Sequence, residues 1–456
     1  MEFEELWESL LPLGRDAGTG GYRRYSWTEA ETGCRGWFAK SATMLGLRTD
    51  CDRNGNLWAW WGRPGPGTIA TGSHLDSVPD GGAFDGPLGV ASAFAAIGQL
   101  RQQGFRPARP VAVAAFTEEE GARFGVACLG SRLLTGAVDP DAARALTDAD
   151  GVSLAEAMRA AGRDPVLLGP DEELLASLDA YVELHIEQGR ALADLDAPVG
   201  IAEGIWPHGR WRLEFTGRAD HAGTTRLADR HDPMLPYATM VLAARDAAAG
   251  HGALATVSKV VAEPGGANGI SSAVRAWLDA RAPDEATLGL LVDEVSAAAR
   301  AAAERHGVGF GMRRESVTPL VSFDPGLLDR LSGVLGAGTP VLPTGAGHDA
   351  GVLAARLPTA MLFVRNPTGV SHSPAEYADP ADCQAGVAAL AAVLGAGTPV
   401  LPTGAGHDAG VLAARLPTAM LFVRNPTGVS HSPAEHAEPA DCAAGVRALA
   451  TVLEDL

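Results

Sequence analysis

Residues 71–90 read TGSHLDSVPDGGAFDGPLGV, and the fold is decided around them. The run 68–72 enters this stretch as an apolar strand, and the run 88–102 leaves it as a helix. The next apolar run, VAVAAF at 111–116, reads as a strand of the buried type. Strand, loop, helix and strand therefore follow one another at the spacing of a parallel sheet, which is an α/β layer architecture. His74 and Asp76 stand two apart just past the first strand, and Asp85 follows in a Gly-rich loop. Three groups able to bind or orient a metal thus leave one strand end together.

Working outward, the strand 111–116 runs directly into Thr117-Glu118-Glu119-Glu120-Gly121, which puts carboxylates at a strand's C-terminal edge, where open α/β sheets carry their sites. A further strand, 180–184, ends in His185-Ile186-Glu187-Gln188-Gly189. Residues 1–50 read as two helices joined by a Gly-rich turn at 18–21. The strand 56–61 carries Trp58, Trp60 and Trp61, which read as core and edge packing rather than a stacking platform. From 208 to 318 the pattern becomes β-α-β-β-α-β, the ferredoxin-like order. The expected organisation is a metallopeptidase-like catalytic domain with a mixed sheet and flanking helices, in two parts, 1–207 and 319–392. An α+β domain at 208–318 is inserted between them.

Residues 334–392 recur at 393–451, with the first 43 positions identical and five of the remaining 16 changed. Two units cannot bury each other's faces as a solenoid does, so one copy is surplus to the fold and 393–456 reads as a tandem duplicate. Copy one continues directly from the helix at 325–335 and is expected in the core.

With 55 acidic against 36 basic side chains the net charge of −19 repels phosphate backbones, which argues against nucleic acid or an anionic membrane as partner. Five cysteines without a CxxC pair leave an odd thiol, so a reducing compartment and a cytoplasmic location are expected. Neither a signal peptide nor a window of 18 apolar residues is found.

The candidate ligands at strand ends are His74, Asp85, Glu120 and His185, joined by the histidine of GVSHSPAE, which occurs as His372 and again as His431. Imidazoles and carboxylates without thiolate suit zinc, manganese or a similar divalent ion. Five ligands exceed one tetrahedral ion, and two ions sharing a carboxylate resolve the count. Such a pair activates water against an amide or ureido carbonyl. Of the adjacent Glu119 and Glu120, one would be a base and the other a ligand, with Asp76 orienting His74. His208, His231, His251 and His306 read as surface histidines, and Asp349 reads equally well as a helix cap.

HLDS with FDG, then FTEEEGARF, ELHIEQG, GRADHAGTT, GAGHDA and GVSHSPAE, in this order across nearly the whole chain, resemble the allantoate amidohydrolase and N-carbamoyl-L-amino-acid hydrolase family, relatives of the dinuclear metallopeptidases and of β-ureidopropionase. The resemblance implies that His74 and His185 hold one metal, that Glu120 and His372 or His431 hold the other, that Asp85 bridges, and that Glu119 is the base. It implies that the inserted domain forms a homodimer interface and sends His221 to the partner's site to stabilise the oxyanion. It also implies that Asn268 and Arg281 bind a substrate carboxylate, with Gln188 and His348 near the substrate. Arg190, Arg226 and Ser271-Ser272 stand where the family usually has proline, and they bear on substrate choice. The implied reaction is hydrolysis of a ureido C–N bond, with allantoate or an N-carbamoyl-L-amino acid as the small-molecule substrate. The former would place the chain in purine catabolism.

Overall fold

The structure is a computed structural model that describes residues 2–395 and three single positions beyond them, Pro439, Cys442 and Val446. The chain divides into two compact units, Met1–Gly397 and Thr398–Leu456. Among the described residues, the strands and the helices from Phe3 to Gly395 lie in the first unit. His431 and nearly all of the second repeat copy lie outside the described residues.

Six strands come first: β1 (Arg48–Cys51), β2 (Leu57–Trp61), β3 (Thr68–His74), β4 (Val111–Phe116), β5 (Leu178–Ile186) and β6 (Val199–Ile205). The next six are β7 (His208–Thr216), β8 (Asp220–His221), β9 (Leu254–Glu263), β10 (Gly269–Ile270), β11 (Ala273–Arg281) and β12 (Gly309–Thr318). The last three are β13 (Val321–Ser322), β14 (Val341–Thr344) and β15 (Thr359–Val364). The main sheet runs β1-β2-β4-β3-β5-β15-β6-β13, with β14 also on β6.

Its centre is parallel: β3 pairs in parallel with β4 and β5, and β15 with β5. Parallel strands need a crossover, and the helix Pro87–Gln102 supplies it between β3 and β4. Outside this centre β2 runs antiparallel to β1 and β4, and β6 antiparallel to β15 and β13 but parallel to β14, so the sheet is mixed. Both faces are covered, which is why VAVAAF carries no alternation. Val111, Val113 and Ala115 pack under the helices Phe3–Leu10, Glu29–Met44, Pro87–Gln102 and Pro380–Gly395. Ala112, Ala114 and Phe116 face the opposite core with the buried Trp58 and Trp60.

Residues 208–318 form a second sheet, ordered β12-β7-β11-β9 and antiparallel throughout. Helices Met234–His251 and Glu285–Arg305 cover one face of it around a separate core that includes Leu213, Phe215, Leu278 and Leu291. Its strand alternation is the half-buried kind, with β11 buried at every second residue. No helix among the described residues is long and apolar enough to cross a membrane.

Candidate metal centre

The parallel centre of the sheet sets the site, because three neighbouring strands end on the same edge. β3 ends in His74, β4 runs into Glu118-Glu119-Glu120, and β5 reaches His185 one residue before its end. The segment after β15 returns over them with Ser371 and His372. Asp85 comes from the loop after β3, where Gly86 at φ +83 lies so close to the His74 ring that a Cβ would stand 2.4 Å from its Cε1. Only glycine fits there, both for the backbone conformation and for the approach.

Asp85 is the hub. Its Oδ1 lies 3.2 Å from His185 Nε2 and 3.6 Å from His74 Nε2. Its Oδ2 lies 3.3 Å from His372 Nε2, which in turn is 3.7 Å from Glu120 Oε2. Two sets of potential ligands result, His74–Asp85–His185 and Asp85–Glu120–His372, sharing the one carboxylate. Two donors bound at about 2.1 Å to one tetrahedral ion stand about 3.4 Å apart. The observed separations fit that spacing better than they fit direct hydrogen bonds. His74 Nε2, His185 Nε2 and Glu120 Oε1 are buried without a hydrogen-bond partner, which is costly unless something else completes them.

The other ring nitrogens are spoken for. His185 Nδ1 donates to the Ile186 carbonyl at 2.9 Å, and His74 Nδ1 to the Asp76 carbonyl at 3.2 Å, which leaves both Nε2 atoms free to coordinate. The Asp76 carboxylate is slightly farther from that ring, at 3.6 Å. It accepts the amide N–H groups of Glu119 and Glu120, each at 3.1 Å, and so fixes the loop that carries both. Asp76 therefore orients three groups, where the sequence pointed to one.

Electrostatics agree with a site built for cations. Burial, followed by the neighbouring Asp85, pushes Glu120 up to about 7. Glu119 is pushed well above the usual carboxylate range by burial and by Glu120, although His74 opposes this. Burial disfavours the charged form of His74, but Glu119, Asp76 and Asp85 outweigh it and raise the imidazole well above its ordinary value. The Asp85 hydrogen bond lifts His372 to about 9. Divalent ions would displace these protons and satisfy the carboxylates together. The residues present fit a pair of such ions: His74, Asp85 and His185 would hold one, and Asp85, Glu120 and His372 the other.

Glu119 Oε2 stands 3.7 Å from His74 Nε2, and its Oε1 accepts the Cys128 thiol at 3.2 Å. Gln188 donates to Asp85 Oδ2 at 2.6 Å, so it sits within the cluster. His348 is buried with its ring 4.5 Å from that of His185, and burial together with His185 holds it neutral. Asp349 is fully buried as the first residue of a helix and accepts Ser131 Oγ, while His348 occupies the cap position.

His221, Asn268 and Arg281 belong to the second sheet and its loops. β8 pairs with β10 so that His221 faces Gly269, and Ala222 donates to the Asn268 carbonyl at 3.1 Å. His221 Nδ1 accepts two backbone amides, from Gly223 at 3.0 Å and Thr224 at 3.2 Å, which leaves the proton on the outward Nε2. Arg281 reaches the Gly345 carbonyl in the loop before His348 and also binds Asp279 at 2.9 Å. Among the described residues no hydrogen bond or ion pair joins His221 or Asn268 to the metal cluster.

Residues 70–396 match Peptidase family M20/M25/M40, and residues 392–455 match it a second time. The chain belongs to this family. The M20/M25/M40 match therefore spans β4, β5, β15, all but the first two residues of β3, and the whole first repeat copy. The chain is 37% identical over 400 residues to the N-carbamoyl-L-amino acid amidohydrolase of Geobacillus stearothermophilus, covering 85% of this chain and 96% of that one. It is 32% identical over 405 residues to the allantoate amidohydrolase of Escherichia coli, covering 86% and 97%. The solved structure of a hydantoinase/carbamoylase family amidase from Burkholderia multivorans superimposes with TM-score 0.76 at 29% identity, over 86% of this chain and 97% of that one.

Glu183 and Glu376 are also buried beside the cluster, and nothing in the sequence sets them apart. Each sat inside a quoted motif, ELHIEQG and SHSPAE, but its partners are remote. Glu183 accepts Ser73 Oγ at 2.7 Å and Ala350 N at 3.0 Å, 110 and 167 residues away.

Proposed function

We propose that the chain is a dinuclear metal-dependent amidohydrolase that cleaves a ureido C–N bond, releasing ammonia and carbon dioxide from a small ureido acid. The observation that carries this reading is Asp85, whose two oxygens face two separate ligand groups at ion-sharing distances. When bound, zinc or manganese ions would supply Lewis acidity and a water of lowered pKa.

The chain's own residues do the rest. Glu119, raised by burial, takes the water's proton and passes it to the leaving nitrogen. Its Oε1 is tied to Cys128, so Oε2 is the oxygen that works. His221, protonated on Nε2, donates to the developing oxyanion of the partner subunit's substrate in a homodimer built on the inserted domain. Asn268 and the planar fork of Arg281 receive the substrate carboxylate. Gln188 and His348 line the ureido end, and Asp76 holds the base in register. Bond balance requires one water per ureido group, giving the free amine, carbon dioxide and ammonia.

Allantoate is the substrate to which the ordered motifs point first. N-carbamoyl-L-amino acids are favoured by the higher identity to the Geobacillus stearothermophilus enzyme, 37% against 32%. Five thiols without a disulfide accord with a cytoplasmic enzyme. Glu119→Gln tests the assignment. It should lower kcat by about 100-fold or more while ion content stays at the parental level, and unchanged turnover would remove Glu119 from the mechanism.

A further inference from the structure

Asp85 can serve two ions only if its loop is held still, and the structure shows what holds it. The Glu376 side chain is buried beside the loop, and its Oε2 accepts the amide N–H groups of Phe84 at 2.9 Å and Asp85 at 3.0 Å. Its Oε1 is 3.3 Å from Ser371 Oγ, which also lies 3.3 Å from Asp85 Oδ2. No lysine, arginine or histidine forms an ion pair with it among the described residues, so its contacts are with the loop and with its own segment. The fit is close: a Cβ at Gly82 would stand 2.3 Å from Glu376 Oε2, so a side chain there would drive the carboxylate out. Tyr377 adds an edge contact to Phe84, whose ring stacks on Trp7 at 4.9 Å.

One segment, 371–377, thus carries His372 and clamps the loop that carries Asp85. The separation between these two ligands, 3.3 Å from Nε2 to Oδ2, is set by contacts that touch neither ion nor substrate. We propose that Glu376 is the positioning residue that fixes the bridging geometry of Asp85, locking the Gly-rich loop to the histidine segment 292 residues away. The inference rests on Asp85 being the shared ligand. It does not use the charge of Glu376, because one oxygen receiving two amide protons is a role that a neutral amide oxygen can also fill.

The experiment uses the full chain as Glu376→Ala, Glu376→Gln and Gly82→Ala. Manganese binding is followed by calorimetry, and hydrogen exchange of the Phe84 and Asp85 amides is followed without metal. Glu376→Ala should weaken binding by about 10- to 100-fold, the usual effect of removing an outer carboxylate partner, and should speed exchange of both amides. Glu376→Gln should restore affinity to within about threefold, because Gln Oε1 can take both amides. Gly82→Ala should repeat the loss with the carboxylate retained, and it stands in if Glu376→Ala does not fold. Parental exchange and affinity in Glu376→Ala and Gly82→Ala would overturn the proposal. So would a Gln variant as impaired as the Ala variant, since that would make charge the cause. Ion binding is measured without substrate, so a parent that binds ions but does not turn over ureido acids would defeat the hydrolase reading alone.

Discussion

Removing the Asp76 carboxylate should damage the centre and the fold in separable amounts. Asp76 is 3% exposed, and its two oxygens accept the amides of Glu119 and Glu120 at 3.1 Å each. In Asp76→Ala both amides lose their acceptor, and a buried polar group left unsatisfied costs about 1–3 kcal/mol, so the loss is about 2–6 kcal/mol of unfolding free energy. That is a large share of the roughly 5–15 kcal/mol typical of a folded domain. Asp76→Asn keeps one carbonyl oxygen and turns an N–H₂ toward the other amide, so about half the loss remains. Ion affinity should fall by about 10- to 100-fold in both variants, because the loop that carries Glu119 and Glu120 is oriented through that carboxylate, while His74 keeps its bond to the Asp76 backbone carbonyl. Urea unfolding of the metal-free variants gives the first quantity, and calorimetric titration with manganese gives the second. An Asp76→Ala protein as stable as the parent, with ion affinity within about threefold, would show that the 117–121 loop is held by something else.

Two further expectations concern the ligands. His372→Ala should lower ion content while His431→Ala leaves it unchanged, measured by elemental analysis per chain. The five positions at which the second copy differs are all exposed or half-buried in the first, namely Tyr377, Asp379, Gln384, Ala388 and Ala392. A silent His372→Ala with loss only in the double variant would therefore mean that residues 393–451 serve in the same place. Ion uptake should also strengthen with pH. His372 titrates near 9 and Glu120 near 7, both above their ordinary values, so each holds a proton that a cation must displace. Apparent affinity should climb from about pH 6 to about 9, with proton release seen as a buffer-dependent heat, and pH-independent binding would contradict the assigned ligands.

The sequence and the structure part company where partners are distant. That His74, Asp85, Glu120 and His185 come together was legible because each lies at the end of an apolar strand or in the loop that leaves one, and a strand end is a local signal. β4 was legible for the same reason, and so was the element order at 208–318, whose two helices are long and one of which is capped by Asp284. β1 (RTDC) leaves no signal in the sequence, because a short polar edge strand has no alternation. β6 (VGIAEGI) is interrupted by two glycines and becomes a strand by pairing with β15, about 160 residues later. Glu376 and Glu183 lie inside motifs, yet their contacts reach across more than 100 residues of chain, which spacing cannot express. The Asp76 carbonyl was invisible for a different reason, since a backbone group carries no residue signature.

If the shared carboxylate of Asp85 assembles a cation-dependent ureido hydrolase, activity must follow the ions. Ammonia release from allantoate and from a panel of N-carbamoyl-L-amino acids, compared between manganese- or zinc-loaded protein and the same protein stripped by chelator, reads this out. Turnover of at least one ureido acid should appear with the ions, vanish on stripping and return on reloading. Ammonia release that survives complete removal of the ions, or its absence from every substrate in a fully loaded protein, would contradict it.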